Sequence, residues 1–134
     1  MSERLVLVDS SAWIRYLSDR GSAHAHSIGK LLADHRVAIN PVIRVELLTG
    51  AKDERQYAQL EDAFEGLHAL DVTDPVWKRA ERLRFELRRS GHLVPVPDAV
   101  IACCAVIYGC GLLHADRHFE RIAQAIGLKI HPPA

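Results

Sequence analysis

After Asp98 the chain runs through ten apolar residues, Ala99-Val100-Ile101-Ala102-Cys103-Cys104-Ala105-Val106-Ile107-Tyr108, several of them small. A helix of that composition has no polar face, so protein must cover it on every side. The run is too short to span a bilayer. It is preceded by Val94-Pro95-Val96-Pro97-Asp98. Proline suits a helix start because its missing N–H would have no intrahelical partner there, and an Asp at the cap accepts hydrogen bonds from orphan N–H groups. The fold must therefore wrap this helix, and it delivers an ionisable group at the mouth of a core element. Taken alone, Asp98 reads as a plain helix cap.

Strands alternate with helices around that helix. Leu5-Val6-Leu7-Val8 is a continuous apolar run, expected to be a strand buried on both faces. Asp9, Ser10 and Ser11 then offer caps for a helix through Ala12 to Leu17. A second helix follows Gly21-Ser22 with Ala25, Ile28 and Leu32 on one face, then a strand at 36–39, then a helix from Asn40-Pro41 to Gly50. Residues 53–66 carry Tyr57, Leu60 and Phe64 at helical spacing, 68–72 read as a strand, and Pro75 to Ser90 is the longest helix, with Val76, Ala80, Leu83 and Leu87 as its core stripe. After Tyr108 come a strand Leu112 to Ala115, a helix with Phe119, Ile122, Ala123 and Ile126 closed by Gly127, a short strand Leu128 to Ile130, and the tail Pro132-Pro133-Ala134. The pattern predicts an α/β fold: a single domain over 1–134 with a mostly parallel central sheet flanked by helices.

Composition narrows the function. With 17 basic and 17 acidic residues the net charge is zero, so any contact with nucleic acid must come from local basic patches or from metal. Met1-Ser2-Glu3-Arg4-Leu5 lacks the basic start and apolar segment of a signal peptide, and the three cysteines include an adjacent pair in the core helix. The expectation is a cytoplasmic protein with reduced thiols and no membrane association.

In a parallel sheet, ligands bind beyond the carboxyl ends of the strands. Asp9 and Asp116 each follow a predicted strand there, and Asp98 opens a helix that the same topology can place on the same edge. Glu46 lies in an otherwise mostly apolar helix, two residues from Arg44 and hence on nearly the opposite side. Either Glu46 points inward toward partners, or that helix is more exposed than its apolar content suggests. Converging carboxylates would repel and hold their protons unless a cation were present. Oxygen donors of this kind suit a hard divalent ion, Mg²⁺ or Mn²⁺, which can activate water and neutralise charge on a phosphodiester.

The segments Val8-Asp9-Ser10-Ser11-Ala12-Trp13-Ile14, the internal Glu46, Pro97-Asp98-Ala99-Val100-Ile101-Ala102, and Leu112 through Asp116 to Ala123 resemble the acidic motifs of PIN-domain ribonucleases. Within that family the chain is similar to the small VapC-like toxins of bacterial toxin–antitoxin modules, end to end and in order. The resemblance implies a PIN-like fold and a Mg²⁺- or Mn²⁺-dependent endoribonuclease. It makes Asp9, Glu46, Asp98 and Asp116 the catalytic, metal-holding quartet, and Ser11 the water- or substrate-positioning hydroxyl beside the first Asp. It also implies a homodimer and a cognate antitoxin that covers the cleft. His118 departs from the pattern, standing where many relatives carry a further Asp.

Other features have plainer readings. The cations of the 75–90 helix read as a solvated face laced by pairs such as Arg82–Glu86, and the eight histidines as ordinary residues rather than zinc ligands. Trp13, Tyr16 and Trp77 read as core or interface residues. The alternative to an enzyme is a non-catalytic module whose acidic cleft docks a basic partner segment.

Overall fold

The computed structural model describes residues 4–133; Met1-Ser2-Glu3, where the signal-peptide reading begins, and Ala134 of the tail lie outside the described residues. Among the described residues four strands, β1 (Val6–Val8), β2 (Val37–Ile39), β3 (His68–Ala69) and β4 (Gly111–Leu113), form one sheet in the order β3-β2-β1-β4. All three pairings are parallel; β1 is central, with Val6 opposite both Val37 and Gly111 and Val8 opposite Leu113. Every residue of β1, β2 and β4 is buried, as strands covered on both faces require.

Seven helices complete the described chain: α1 (Ser10–Ser18), α2 (Ala23–Ala33), α3 (Pro41–Thr49), α4 (Glu54–Glu65), α5 (Asp74–Arg89), α6 (Val96–Ile107) and α7 (His118–Ile126). Side chains cap four of them: Asp9 accepts from the Ser11 N–H, Ser22 from Ala25, Asn40 from Ile43 and Asp53 from Gln56, whereas Thr73, which the sequence offers as a cap for α5, makes no such bond. The α5 stripe of Val76, Ala80, Leu83 and Leu87 is buried as expected. In α6, Ala99 through Ala105 are all buried, packed against α3, α5, α7 and β4. Its alanines permit close approach from several sides, and large neighbours such as Ile101 and Phe119 fill the space between. The three cysteines are free and buried, and burial pushes the Cys103 thiol up to about 11.

Three expectations need correction. The helix after Pro95 begins at Val96, with Pro95 itself at the cap position and Pro97 inside the first turn. Asp98 therefore sits in that first turn and makes no cap hydrogen bond, so the plain-cap reading fails. The strand expected over 68–72 shortens to two exposed residues at the sheet edge, although the Leu70 N–H still reaches the Ile39 carbonyl at 2.8 Å. The final strand reduces to a single bridge between Leu112 and Ile130, because only one pairing position remains beside β4 before the chain leaves.

Candidate functional site

Asp9 ends β1 and is 3% exposed, yet it is an acid. Its Oδ2 accepts from the Ser11 N–H at 3.0 Å and from the Ser11 hydroxyl. The Ser11 Oγ in turn accepts from the Ala115 N–H at 2.9 Å, which ties the end of β1 to the loop after β4. Oδ1 of Asp9 is buried and has no hydrogen-bond partner. Desolvation raises the Asp9 pKa against the pull of the Ser11 bonds.

Asp98 comes from the first turn of α6 and Asp116 from the loop between β4 and α7. His118, the first residue of α7, bridges them: its Nδ1 lies 3.0 Å from Asp98 Oδ2 and 3.1 Å from Asp116 Oδ1. The Asp116 Oδ1 also accepts from the His118 N–H at 3.0 Å, so Asp116, not Asp98, closes a helix start with its side chain. One ligand atom from each of the three residues falls within a 4.8 Å set. Burial first, then the charge of Asp9, pushes the Asp98 pKa up to about 6, against the opposing bond from His118.

Glu46 stands on the exposed side of α3 and accepts from the Ser10 hydroxyl at 2.9 Å. Desolvation at the cleft wall and the charge of Asp9 raise its pKa. Arg44 takes the other side of the helix, over the Phe64 ring and 3.9 Å from Glu65. Glu46 thus faces the site while keeping contact with solvent, on a side of α3 more exposed than its apolar content suggests. Asp9 and Glu46 lie outside the 4.8 Å set, but Asp9 is electrostatically coupled to Glu46, Asp98 and Asp116.

The structure thus gathers all four predicted acids at the carboxyl end of the sheet. It also adds two residues that sequence reasoning missed. In the sequence Ser10 reads only as a possible cap, and its place beside Asp9 is the available signal. His118 reads as a lost acid, whereas its spacing from Asp116 across the α7 start puts its ring on both carboxylates. The donor set fits a divalent cation on three counts. A buried carboxylate oxygen lacks a partner, neighbouring acids resist ionisation together, and the donors are oxygens with one imidazole nitrogen.

Residues 6–125 match the family described as PIN domain. The chain is 33% identical over 129 residues to ribonuclease VapC11 of Mycobacterium tuberculosis, covering 93% of this chain and 96% of that one. It is 30% identical over 124 residues to ribonuclease VapC18 of the same organism, covering 90% and 88%. Among solved structures it is similar to DNA-bound VapBC from Salmonella typhimurium, with a TM-score of 0.81, 25% identity, and 98% and 100% of the two chains covered.

Proposed function

This chain belongs to the PIN-domain family, among its VapC ribonuclease toxins, and from that premise we propose that Asp9, Glu46, Asp98 and Asp116 form a metal-dependent endoribonuclease centre. As a VapC ribonuclease the protein hydrolyses RNA phosphodiester bonds, and a cognate antitoxin neutralises it. The observation that carries the proposed site is the Asp9 carboxylate: a buried acid with one oxygen fully hydrogen-bonded and the other left without a partner, coupled in charge to Asp98 and Asp116. A buried acceptor left open is costly unless a cation takes it.

Asp9, Asp98 and Asp116 would hold Mg²⁺ or Mn²⁺, with Glu46 across the cleft and His118 beside the two half-buried acids. When bound, the ion supplies positive charge at the scissile phosphate and lowers the pKa of the attacking water. Asp98 and Asp116 are anchored by a buried helix and by a helix start, which fixes where their carboxylates stand. Ser11 orients Asp9, since its hydroxyl donates to Asp9 while accepting from Ala115. Ser10 orients Glu46. Glu46, exposed and reluctant to ionise, suits the removal of a proton from the attacking water.

The same reading extends to partners: one PIN domain over 1–134, acting in the cytoplasm as a homodimer. An apolar strip across α3, α5, the turn after it and α6, with Val45, Trp77, Phe85, Leu93 and Val96 all at least 44% exposed, supports self-association. A separate cleft of about 270 Å³ between α1, α2, α3 and α4, lined by Trp13, Tyr16, Leu17, Leu47, Leu60 and Phe64, suits an apolar face of the antitoxin.

Mapping of new RNA 5′ ends after expression, wild type beside Asp98→Asn, tests the reading. Discrete new ends are expected only in the wild type, and loss of one ligand should slow cleavage by at least about a hundredfold. An Asp98→Asn variant that folds and cuts at the parental rate sinks the assignment.

A further inference from the structure

Beside the acidic cluster opens a cleft of about 450 Å³, between the turn after α5 and one face of α7 with the residue before it. Its wall carries Arg117 and Arg121 beside His92 and His118, and the acid lining it is Glu120. His118 belongs to both places: it lines this cleft and touches Asp98 and Asp116, so the two are continuous. Arg117 is exposed and has no side-chain partner among the described residues. The Arg121 guanidinium lies against the His92 imidazole and pairs with no carboxylate among the described residues. A guanidinium has five donors and no acceptor, so a single imidazole leaves most of its fork unfilled. The turn carrying His92 is itself held, because Arg84 Nε donates to the Val94 carbonyl at 2.9 Å.

The α7 amides do not make this site. The N–H groups of His118, Phe119 and Glu120 are already bonded to Asp116 and Arg117. The side chains carry it. The cations of α5 are differently placed: Arg82 pairs with Glu86 at 2.7 Å, and Arg82 and Arg89 lie over the Phe85 ring. In a chain of zero net charge, a polyanion approaching an acidic centre needs local positive charge next to it. The cleft offers two guanidiniums there, neither paired with a carboxylate among the described residues.

We propose that this cleft is a phosphate subsite for the RNA strand, in which Arg117 and Arg121 grip a backbone phosphate flanking the scissile one and His92 buttresses Arg121. It rests on the ribonuclease reading of the adjoining carboxylates. The two fork-shaped side chains suit bidentate capture of phosphate oxygens, a contact that positions the strand without reading its bases.

The test uses a labelled, mixed-sequence, single-stranded oligoribonucleotide and the full-length Asp98→Asn protein, which binds without turnover. Anisotropy is followed through a KCl series. Adding Arg117→Gln with Arg121→Gln should weaken binding at least about tenfold and flatten log K against log [KCl] by about 0.7, the slope of one phosphate contact on a single strand. Arg117→Lys with Arg121→Lys should keep the slope. Arg55→Gln, the same charge change on α4, should change neither quantity. In the wild-type background the Gln pair should still bind Mn²⁺ by calorimetry, showing that the carboxylates are intact. A Gln pair indistinguishable from Arg55→Gln overturns the proposal. So does unchanged RNA binding with weakened antitoxin binding, which would assign the cleft to a protein partner. Failure of the parent reading looks different: wild-type protein that neither binds Mn²⁺ nor cuts RNA, whatever the salt slope.

Discussion

Asp98 is a carboxylate held against its preference. Its native pKa of about 6 exceeds the ordinary 3.8, so between those values the folded chain keeps a proton that the unfolded chain has lost. Metal-free protein should therefore lose stability as pH rises through that window. An asparagine in its place cannot ionise and escapes the loss. In EDTA, thermal melts should show Asp98→Asn gaining on the wild type as pH rises from about 4 to about 7, with the gap reduced by saturating Mn²⁺ added to the wild type. A gap that shrinks with rising pH would contradict this account of Asp98. At this scale Asp9 and Asp116 are legible because each follows an apolar strand run. The exact helix start is not: two prolines stand before the apolar run, and the helix takes Pro95 rather than Pro97 at its cap position. The partnerships of Ser10 with Glu46 and of His118 with Asp98 join residues 36 and 20 positions apart, which no local pattern reveals.

Among the elements, α6 is the mount of the site. Its unbroken apolar run announces a fully covered helix, and residues 99–105 are indeed buried; Val96 and Ile107 at its ends remain exposed, since burial depends on neighbours and not on hydropathy alone. Ile101 has no exposed surface, so Ile101→Ala should cost about 2–4 kcal/mol in urea unfolding. The folded fraction should still bind Mn²⁺ with nearly parental affinity, because Ile101 touches the site only through the helix it anchors. A destabilisation below about 1 kcal/mol would mean that α6 is not tightly packed. The two short outer strands fall short of their apolar runs for the converse reason. Apolar Leu128 is buried beside the sheet without lying in a strand, and Leu70 keeps only one hydrogen bond to β2.

At the scale of the molecule, parallel topology explains why distant acids meet. β1 and β4 are neighbours running the same way, so Asp9 and Asp116 emerge on one edge, and α6 returns Asp98 to it. That much follows from alternating strands and helices. The exposed apolar strip does not, because an apolar residue on an amphipathic helix reads equally well as core. Trp77 is 44% exposed, unlike Trp13 at 6%. If the strip joins two copies, Phe85→Arg should convert a dimer into a monomer in light scattering while leaving the thermal melt of the monomer cooperative; an unchanged mass would place the dimer elsewhere or exclude it. Among the described residues no helix is long and apolar enough to cross a membrane.

On this proposal the carboxylates of Asp9 after β1, Asp98 of α6 and Asp116 of the β4–α7 loop hold the catalytic cation. Calorimetric titration of Mn²⁺ into the wild type and into Asp9→Asn, Asp98→Asn and Asp116→Asn addresses it most directly. Saturable binding is expected in the wild type, weakened at least about tenfold in each variant, with metal at a hundred times its Kd stabilising the wild type by about 2.7 kcal/mol. Wild-type protein that takes up no Mn²⁺, or three variants that bind it as the parent does, would contradict the account.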